Sequence, residues 1–242
     1  TGLGSSSAFT VGLLHNLYAA CGRFVSRDQL AREACEIEID HLNGPIGKQD
    51  QYSTSFGGLN IIRFNPSGSV EVDPFHLPKE THKRLQNNLL MFYTGKQRST
   101  KDILSEQKIN LESPSKVAVL KKMVELVWEL RDELYAGNLF EFGRILHRNW
   151  LLKQSLASTI SNDFINSLYQ KGLNAGAIGG KLLGAGGGGF LLFYCEEKNH
   201  DRLRKSMNSY KELKFRFENE GTKVVHFGLE EYERLHSIKI EQ

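Results

Sequence analysis

Ala8, Val11, Leu14, Leu17 and Tyr18 recur at helical spacing and predict an amphipathic helix from about Ser5 to Cys21, stopped by Gly22. Val25-Ser26-Arg27-Asp28-Gln29-Leu30 predicts a second helix start: Ser26 caps, Gln29 closes a capping box, and Val25 staples to Leu30. That helix is expected to end near Asn43-Gly44-Pro45. Residues 57–64 and 70–72 read as strands around a turn at Asn65-Pro66-Ser67-Gly68. Leu89–Tyr93 is a short apolar run, expected as a buried strand ended by Thr94-Gly95, and the basic segment 96–101 leads into a helix. A long helix is predicted after Pro114, with Val117, Leu120, Val124, Val127 and Leu134 on one face and Gly137 at its end. Asn138 and Glu141 restart a helix carrying Phe142, Leu146 and Trp150 inward, and Asn162 or Ser161 caps another over about 162–174. A short helix from about His200 and strands near 212–217 and 223–228 complete the pattern. Helices mixed with mostly antiparallel strands define an α+β fold.

Two stretches interrupt this pattern with small residues. The first, Thr1-Gly2-Leu3-Gly4-Ser5-Ser6-Ser7-Ala8, runs straight into the first helix. A small-residue loop at a helix start presents free backbone N–H groups and the positive end of the dipole, which suits phosphate. An ordinary capped helix after a turn is the alternative. The second stretch, 178–195, holds Gly184, Gly186, Gly187, Gly188 and Gly189 between two apolar runs. Five glycines in six residues cost much entropy to order, so little bulkier than backbone is expected to fit there. No G-K-[ST] follows, so this is not a Walker A loop. The flanking apolar runs predict strand–loop–strand rather than a dinucleotide fingerprint.

Composition narrows the field. With 242 residues, 40% of them hydrophobic, the chain can bury a sizeable core as one large domain or two small ones. A net charge of +3, with Lys and Arg spread along the chain, argues against a dedicated nucleic-acid binder. Cys21, Cys35 and Cys195 lack metal-ligand spacing and read as reduced, buried cytosolic thiols. No apolar stretch approaches the ~18 residues of a membrane span, and no signal peptide is evident.

Gly2-Leu3-Gly4-Ser5-Ser6-Ser7-Ala8 and Gly184-Ala185-Gly186-Gly187-Gly188-Gly189-Phe190 together resemble the second and third motifs of the GHMP kinase superfamily. The block 34–52, ending Gly47-Lys48-Gln49-Asp50-Gln51-Tyr52, and the stretch after it narrow the resemblance to bacterial sugar kinases acting on D-glycero-D-manno-heptose 7-phosphate. The resemblance runs through nearly the whole chain. It implies a two-domain kinase fold, with 1–74 the remainder of an N-terminal, ATP-binding domain and 75–242 a C-terminal domain. Such a kinase has a substantial domain before this start, so a fragment is expected. ATP and Mg2+ are the implied cofactors, a small-molecule sugar phosphate the partner and the cytoplasm the compartment, with no nucleic acid, no membrane and a homodimer left open.

A kinase holds triphosphate and magnesium, places a hydroxyl in line and manages its proton. The resemblance assigns ATP phosphates to Gly2, Gly4, Ser5, Ser6, Ser7, Gly184, Gly186, Gly187 and Gly188. Asp50 lies just past a turn, at a helix start after Pro45, and the resemblance makes it the base; capping the helix is its alternative role. Lys48, two residues away, is expected to keep Asp50 ionised and to balance phosphate charge. Magnesium needs hard oxygen ligands. Glu38 shares the face of Ala31, Ala34 and Cys35, whereas Glu36 shares a face with Arg32 and Glu33, expected to be wet. Glu38 also stands seven residues before Pro45, where the resemblance implies a metal-binding glutamate, so Glu38, with Ser6 as hydroxyl partner, is the expected metal ligand. Arg98 and Lys96, clustered with Lys101, are expected to contact the sugar's existing phosphate, a solvated basic loop being the alternative. His147 reads as structural, and Lys153, three residues after Trp150, as able to reach a cleft. Leu183 stands where mevalonate kinases carry a hydroxyl residue. Retention of Ser6, Glu38 and Asp50 together favours an enzyme over a sugar- and nucleotide-sensing module; another sugar or an isoprenoid acid stays open as acceptor.

Overall fold

The computed structural model describes residues 2–95, 100–110, 113–226 and 228. Lys96 and Arg98 lie outside the described residues, as does part of the last expected strand. The chain folds as two compact units, Gly4–His76 with the chain from Phe217 on, and Leu77–Arg216 with the first three residues. The division thus falls between His76 and Leu77, and the described residues from Phe217 belong with Gly4–His76.

In the unit of Gly4–His76, α1 spans Ser5–Ala20 and α2 spans Arg27–Cys35. Gly22 ends α1 as expected: Gly22 N–H donates to Ala19 O and Arg23 N–H to Tyr18 O, both 2.9 Å, a Schellman closure. Ser26 Oγ accepts from Gln29 N–H at 3.1 Å, but the Gln29 side chain turns to Tyr18 and Glu33 instead of closing the capping box. α2 does not run on as a regular helix. It passes into a π-helical turn, Glu36–His41, in which Leu42 N–H reaches Ile37 O at 2.9 Å. Asn43 takes a left-handed conformation (φ 51°) and Gly44 N–H closes on Glu38 O at 2.9 Å.

α3 (Gln49–Phe56) and the antiparallel hairpin β1 (Asn60–Phe64) and β2 (Val70–Pro74) complete this unit's regular elements. Val11, Leu30 and Ala34 form one buried cluster; Ala31, Cys35 and Tyr52 form a second, against Phe56, Ile62 and Val72. Leu17, by contrast, is exposed, and so are Phe9 and Leu13, so the inward face of α1 is narrower than its spacing suggests. The returning segment docks by backbone: Gly58 N–H donates to Glu218 O at 2.7 Å and Thr222 N–H to Thr54 O at 3.1 Å.

The second unit carries α4 (Lys79–Asn87), β3 (Leu89–Tyr93), α5 (Thr100–Asn110), α6 (Pro114–Tyr135), α7 (Leu139–Gln154) and α8 (Asp163–Asn174). β4 (Gly179–Leu182), β5 (Phe190–Tyr194) and α9 (His200–Ser206) follow. The strands form an antiparallel sheet ordered β3-β5-β4, with Phe92 and Leu182 both opposite Leu191. α7 lies close on this sheet, because a Cβ on Gly179 would come within 1.9 Å of Gly143 O. Trp150, Ile160, Ile165, Leu182, Leu191 and Phe193 are almost wholly buried, each contributing about 1.5–3 kcal/mol of burial. Asn162 caps α8, accepting from Ile165 N–H at 3.0 Å.

Three expectations fail here. α6 does not bury Val117, Val124 and Val127, which are exposed; Val119, Leu120, Met123, Leu126 and Leu134 face inward. A helix with apolar residues on more than one side leaves the choice of face to its neighbours. The segment 212–217 is no strand but an isolated bridge between Glu212 and Phe92, and 223–226 is irregular. Cys21 is exposed at the end of α1, while Cys35 and Cys195 are buried, their thiols pushed up to about 11 by desolvation.

Candidate active site

Gly4 is the N-cap of α1 in a left-handed conformation, φ 65°. Glycine has no side chain to cap the helix itself, and the first N–H groups of an α-helix lack intrahelical partners. Ser5 and Ser6 are exposed, whereas Ser7 is buried, at 2% exposure. Asp50 lies in the first turn of α3 and brings its carboxyl to this helix start. A Cβ on Gly4 would stand 3.4 Å from both Asp50 Cγ and Oδ2. The packing of α1 on α3 therefore sets a carboxylate beside the start of α1.

Lys48 precedes α3 and lines a cavity with Arg32, Cys35, Ile39, Tyr52 and Gly68. Its ammonium partly offsets the desolvation that raises the Cys35 thiol.

Glu38 and Glu36 separate as their spacing predicts. Glu36 is exposed and Glu38 is 6% exposed. The Glu38 carboxylate accepts a hydrogen bond from Gln51, Nε2 to Oε2 at 2.6 Å. Gln51 is wholly buried and, among the described residues, its own Oε1 has no hydrogen-bond partner. A carboxylate only accepts, so the amide must turn its NH2 toward Glu38. An orphaned buried acceptor costs about 1–3 kcal/mol. Among the described residues no three His, Cys, Asp or Glu side chains gather as a metal cage. A carboxylate and a hydroxyl are hard oxygen donors of the kind Mg2+ takes, the ion keeping several waters and filling the rest of its shell from substrate phosphates.

In the other unit the glycine loop joins β4 to β5, as a strand–loop–strand element should. Its backbone is pinned at several points. Lys153 Nζ donates to Gly184 O at 2.5 Å. Gly187 N–H donates to Ile160 O at 2.9 Å. Thr94, 3% exposed, donates its hydroxyl to Gly189 O at 3.0 Å and accepts from Gly189 N–H at 3.1 Å. Behind Ile160, the Glu106 carboxylate takes Ser158 N–H at 2.9 Å, Ser158 Oγ at 2.8 Å and the Thr159 hydroxyl, which hold it below the usual carboxylate range. Gly2 packs on the loop: a Cβ on Gly184 would lie 2.6 Å from Gly2 Cα. Gly186 and Gly188 lie in the same loop between these fixed points.

The structure thus joins Gly2 to Gly184, Gly4 to Asp50, and Glu38 to Gln51. Gln51, Thr94, Ile160 and Glu106 escape the sequence reading. The available signals were a polar residue ending a buried strand, for Thr94, and an acid on a buried face requiring a donor, for Gln51. His147 sits within the packing, its Nδ1 2.8 Å from Tyr169 Oη and its pKa lowered by burial.

A fold of this order, with a phosphate-type helix start in one unit and a glycine hairpin in the other, belongs to a known class of small-molecule kinases. The profile of the GHMP kinases N terminal domain matches residues 1–58, and that of the GHMP kinases C terminal region matches 130–213. Together they span more than half of the chain, which belongs to the GHMP kinase family. The chain is 27% identical over 225 residues to the D-glycero-alpha-D-manno-heptose 7-phosphate kinase of Campylobacter jejuni, covering 92% of this chain and 66% of that protein. It is 26% identical over 207 residues to the mevalonate kinase of Thermococcus onnurineus, covering 83% and 58%. The crystal structure of a D-glycero-D-manno-heptose 1-phosphate kinase from Bacteroides thetaiotaomicron superimposes with a TM-score of 0.67 at 23% identity, covering 93% of this chain and 65% of that one. The chain spans about two thirds, or less, of the length of these proteins.

Proposed function

We propose that the protein containing this chain is an ATP-dependent kinase that phosphorylates a hydroxyl of a sugar phosphate, with D-glycero-D-manno-heptose 7-phosphate as acceptor and the 1,7-bisphosphate as product. The observation that carries the reading is the Asp50 carboxyl set against Gly4 at the start of α1. Phosphoryl transfer needs a hydroxyl held between a phosphate site and a proton acceptor. The helix start, with the N–H groups of Ser5, Ser6 and Ser7, holds phosphate through backbone donors and the dipole. Gly184, Gly186, Gly187 and Gly188 offer phosphate a second backbone surface, and Gly2 packs against it. Asp50 orients the acceptor hydroxyl and takes its proton. Lys48 adds positive charge near the start of α3. Ser6 and Glu38 would hold Mg2+, which when bound neutralises charge on the phosphate oxygens. Lys96 and Arg98 are assigned to the phosphate already on the sugar, since a guanidinium pairs with phosphate in two parallel bonds. Buried, unpaired Cys35 and Cys195 and the use of ATP fit the cytoplasm.

The acceptor assignment rests on the resemblance around residues 34–52 and on the Campylobacter jejuni relative. The test is the full-length protein with ATP and a panel of heptose 7-phosphate, heptose 1-phosphate, galactose, L-fucose and mevalonate, with ADP release and the 31P spectrum of the product recorded. Turnover at least tenfold faster in kcat/KM with heptose 7-phosphate is expected. A preference for an unphosphorylated sugar or for mevalonate would replace the acceptor, and no turnover with any of them would remove the kinase reading.

A further inference from the structure

The Gln51–Glu38 pair has no explanation in stability. Both side chains are buried, the bond is short at 2.6 Å, and it leaves Gln51 Oε1 unpartnered. An apolar pair of the same shape would hold α2 and α3 together without an orphaned acceptor. What the amide does provide is a donor to one carboxylate oxygen, Oε2. Among the described residues it is the only side chain hydrogen-bonded to that carboxylate. Glu38 itself stands in a π-helical turn whose register Gly44 closes by donating to Glu38 O. The backbone of Glu38 is thus fixed by Gly44 and its carboxylate by Gln51. Gln51 is also the next residue after Asp50, so the first turn of α3 carries one side chain to the helix start at Gly4 and the next to Glu38.

We propose that Gln51 is a positioning residue for Glu38: its amide holds Oε2 and leaves Oε1 for a divalent cation. The inference rests on Glu38 being a ligand of Mg2+. Outer-shell partners of ligating side chains govern metal affinity by about 10- to 100-fold. A role confined to packing would move thermal stability and leave the affinity alone.

The probe is Mn2+, titrated by electron paramagnetic resonance into the full-length protein saturated with the β,γ-imido analogue of ATP. Wild type, Glu38→Gln, Gln51→Met and Gln51→Leu are compared, with a thermal melt of each in the absence of metal. Gln51→Met keeps the length of the side chain and removes the donor. We expect both Gln51 variants to weaken Mn2+ by about 10- to 100-fold with melting temperatures within a few degrees of wild type. Wild-type Mn2+ affinity in folded Gln51 variants, together with a loss in Glu38→Gln, overturns the positioning role alone. No loss in Glu38→Gln overturns the metal assignment of Glu38 beneath it. If neither Gln51 variant melts cooperatively, the 15N-labelled wild type is titrated with Mg2+. The Gln51 side-chain NH2 resonances then shift with the midpoint of metal binding; resonances that stay in place overturn the proposal.

Discussion

At Gly186 an added Cβ would lie 2.7 Å from both the Cα and the carbonyl oxygen of Ile160, whereas at Gly4 the nearest atoms, those of the Asp50 carboxyl, stand 3.4 Å away. Both glycines have positive φ, 131° and 65°. The hairpin loop therefore needs glycine because other backbone fills the space beside it. The helix start needs glycine for its conformation, and the space beside it is left to a carboxylate side chain. One loop is built from the fold outward, pinned by Lys153, Ile160 and Thr94. The other brings a helix start beside the Asp50 carboxyl. A rigid backbone surface and an adjustable acid–helix pair are different devices, and substitutions should tell them apart.

The largest effect is expected at Asp50. Asp50→Asn keeps shape and capping ability but removes the charge. Turnover should fall by about 100- to 10,000-fold while ATP affinity stays within twofold. The measurement is kcat beside a calorimetric Kd; near-normal turnover would make Asp50 a helix cap and end the distinction on that side.

Gly186→Ala comes next. Its methyl group meets backbone that cannot rotate away, in a conformation already strained for alanine. A loss of about 2–5 kcal/mol from strain and overpacking together is expected, read from denaturant unfolding. Nucleotide affinity should fall with it. If the variant is as stable as wild type, the loop is less tightly pinned than the Ile160 contact implies.

Gly4→Ala has only conformational strain to bear, about 1–2 kcal/mol. It should lower stability less than Gly186→Ala does, because the added methyl group only touches the Asp50 carboxyl. Equal losses of stability would erase the contrast between the loops.

The smallest effect concerns the support behind Ile160. Hydrogen bonds from Ser158 and Thr159 lower the folded-state pKa of Glu106. The clamp is therefore fully present above the ordinary carboxylate pKa and is lost as pH falls through the lowered value. Amide exchange at Ser158 and Gly187, corrected for intrinsic rates, should be flat from pH 7 to about 5 and accelerate below about 4. Glu106→Gln keeps an acceptor oxygen but cannot titrate, so its exchange at Ser158, corrected for intrinsic rates, should not change with pH. Protection at Ser158 that is unchanged at low pH would detach Glu106 from the loop.

Local signals were legible wherever neighbouring residues alone decide the outcome. Ser26 and Asn162 cap their helices, Gly22 closes α1, Leu89–Tyr93 is a buried strand, and the glycine run joins two antiparallel strands. Each depends on backbone donors within a few residues or on the bare alternation of apolar and small side chains. The burial of Glu38 against the exposure of Glu36 was legible for the same reason, since both lie a turn or less beyond the buried Ala34 and Cys35.

Tertiary structure decided the rest. Val117, Val124 and Val127 satisfy helical spacing, yet α6 turns Val119, Met123 and Leu126 to the core, because the neighbouring elements choose among its apolar sides. The π-helical turn at Glu36–His41 leaves no mark in an apolar period and is closed by Gly44. Lys153 finds Gly184 across 31 positions of sequence, and Thr94 finds Gly189 across 95. Gln51 meets Glu38 only because α2 packs on α3. Sequence alone determined the caps, the turns and the residue types able to hold phosphate and a divalent cation. Which of those residues meet was set by packing, because a hydrogen bond between distant elements depends on where the core places their backbones.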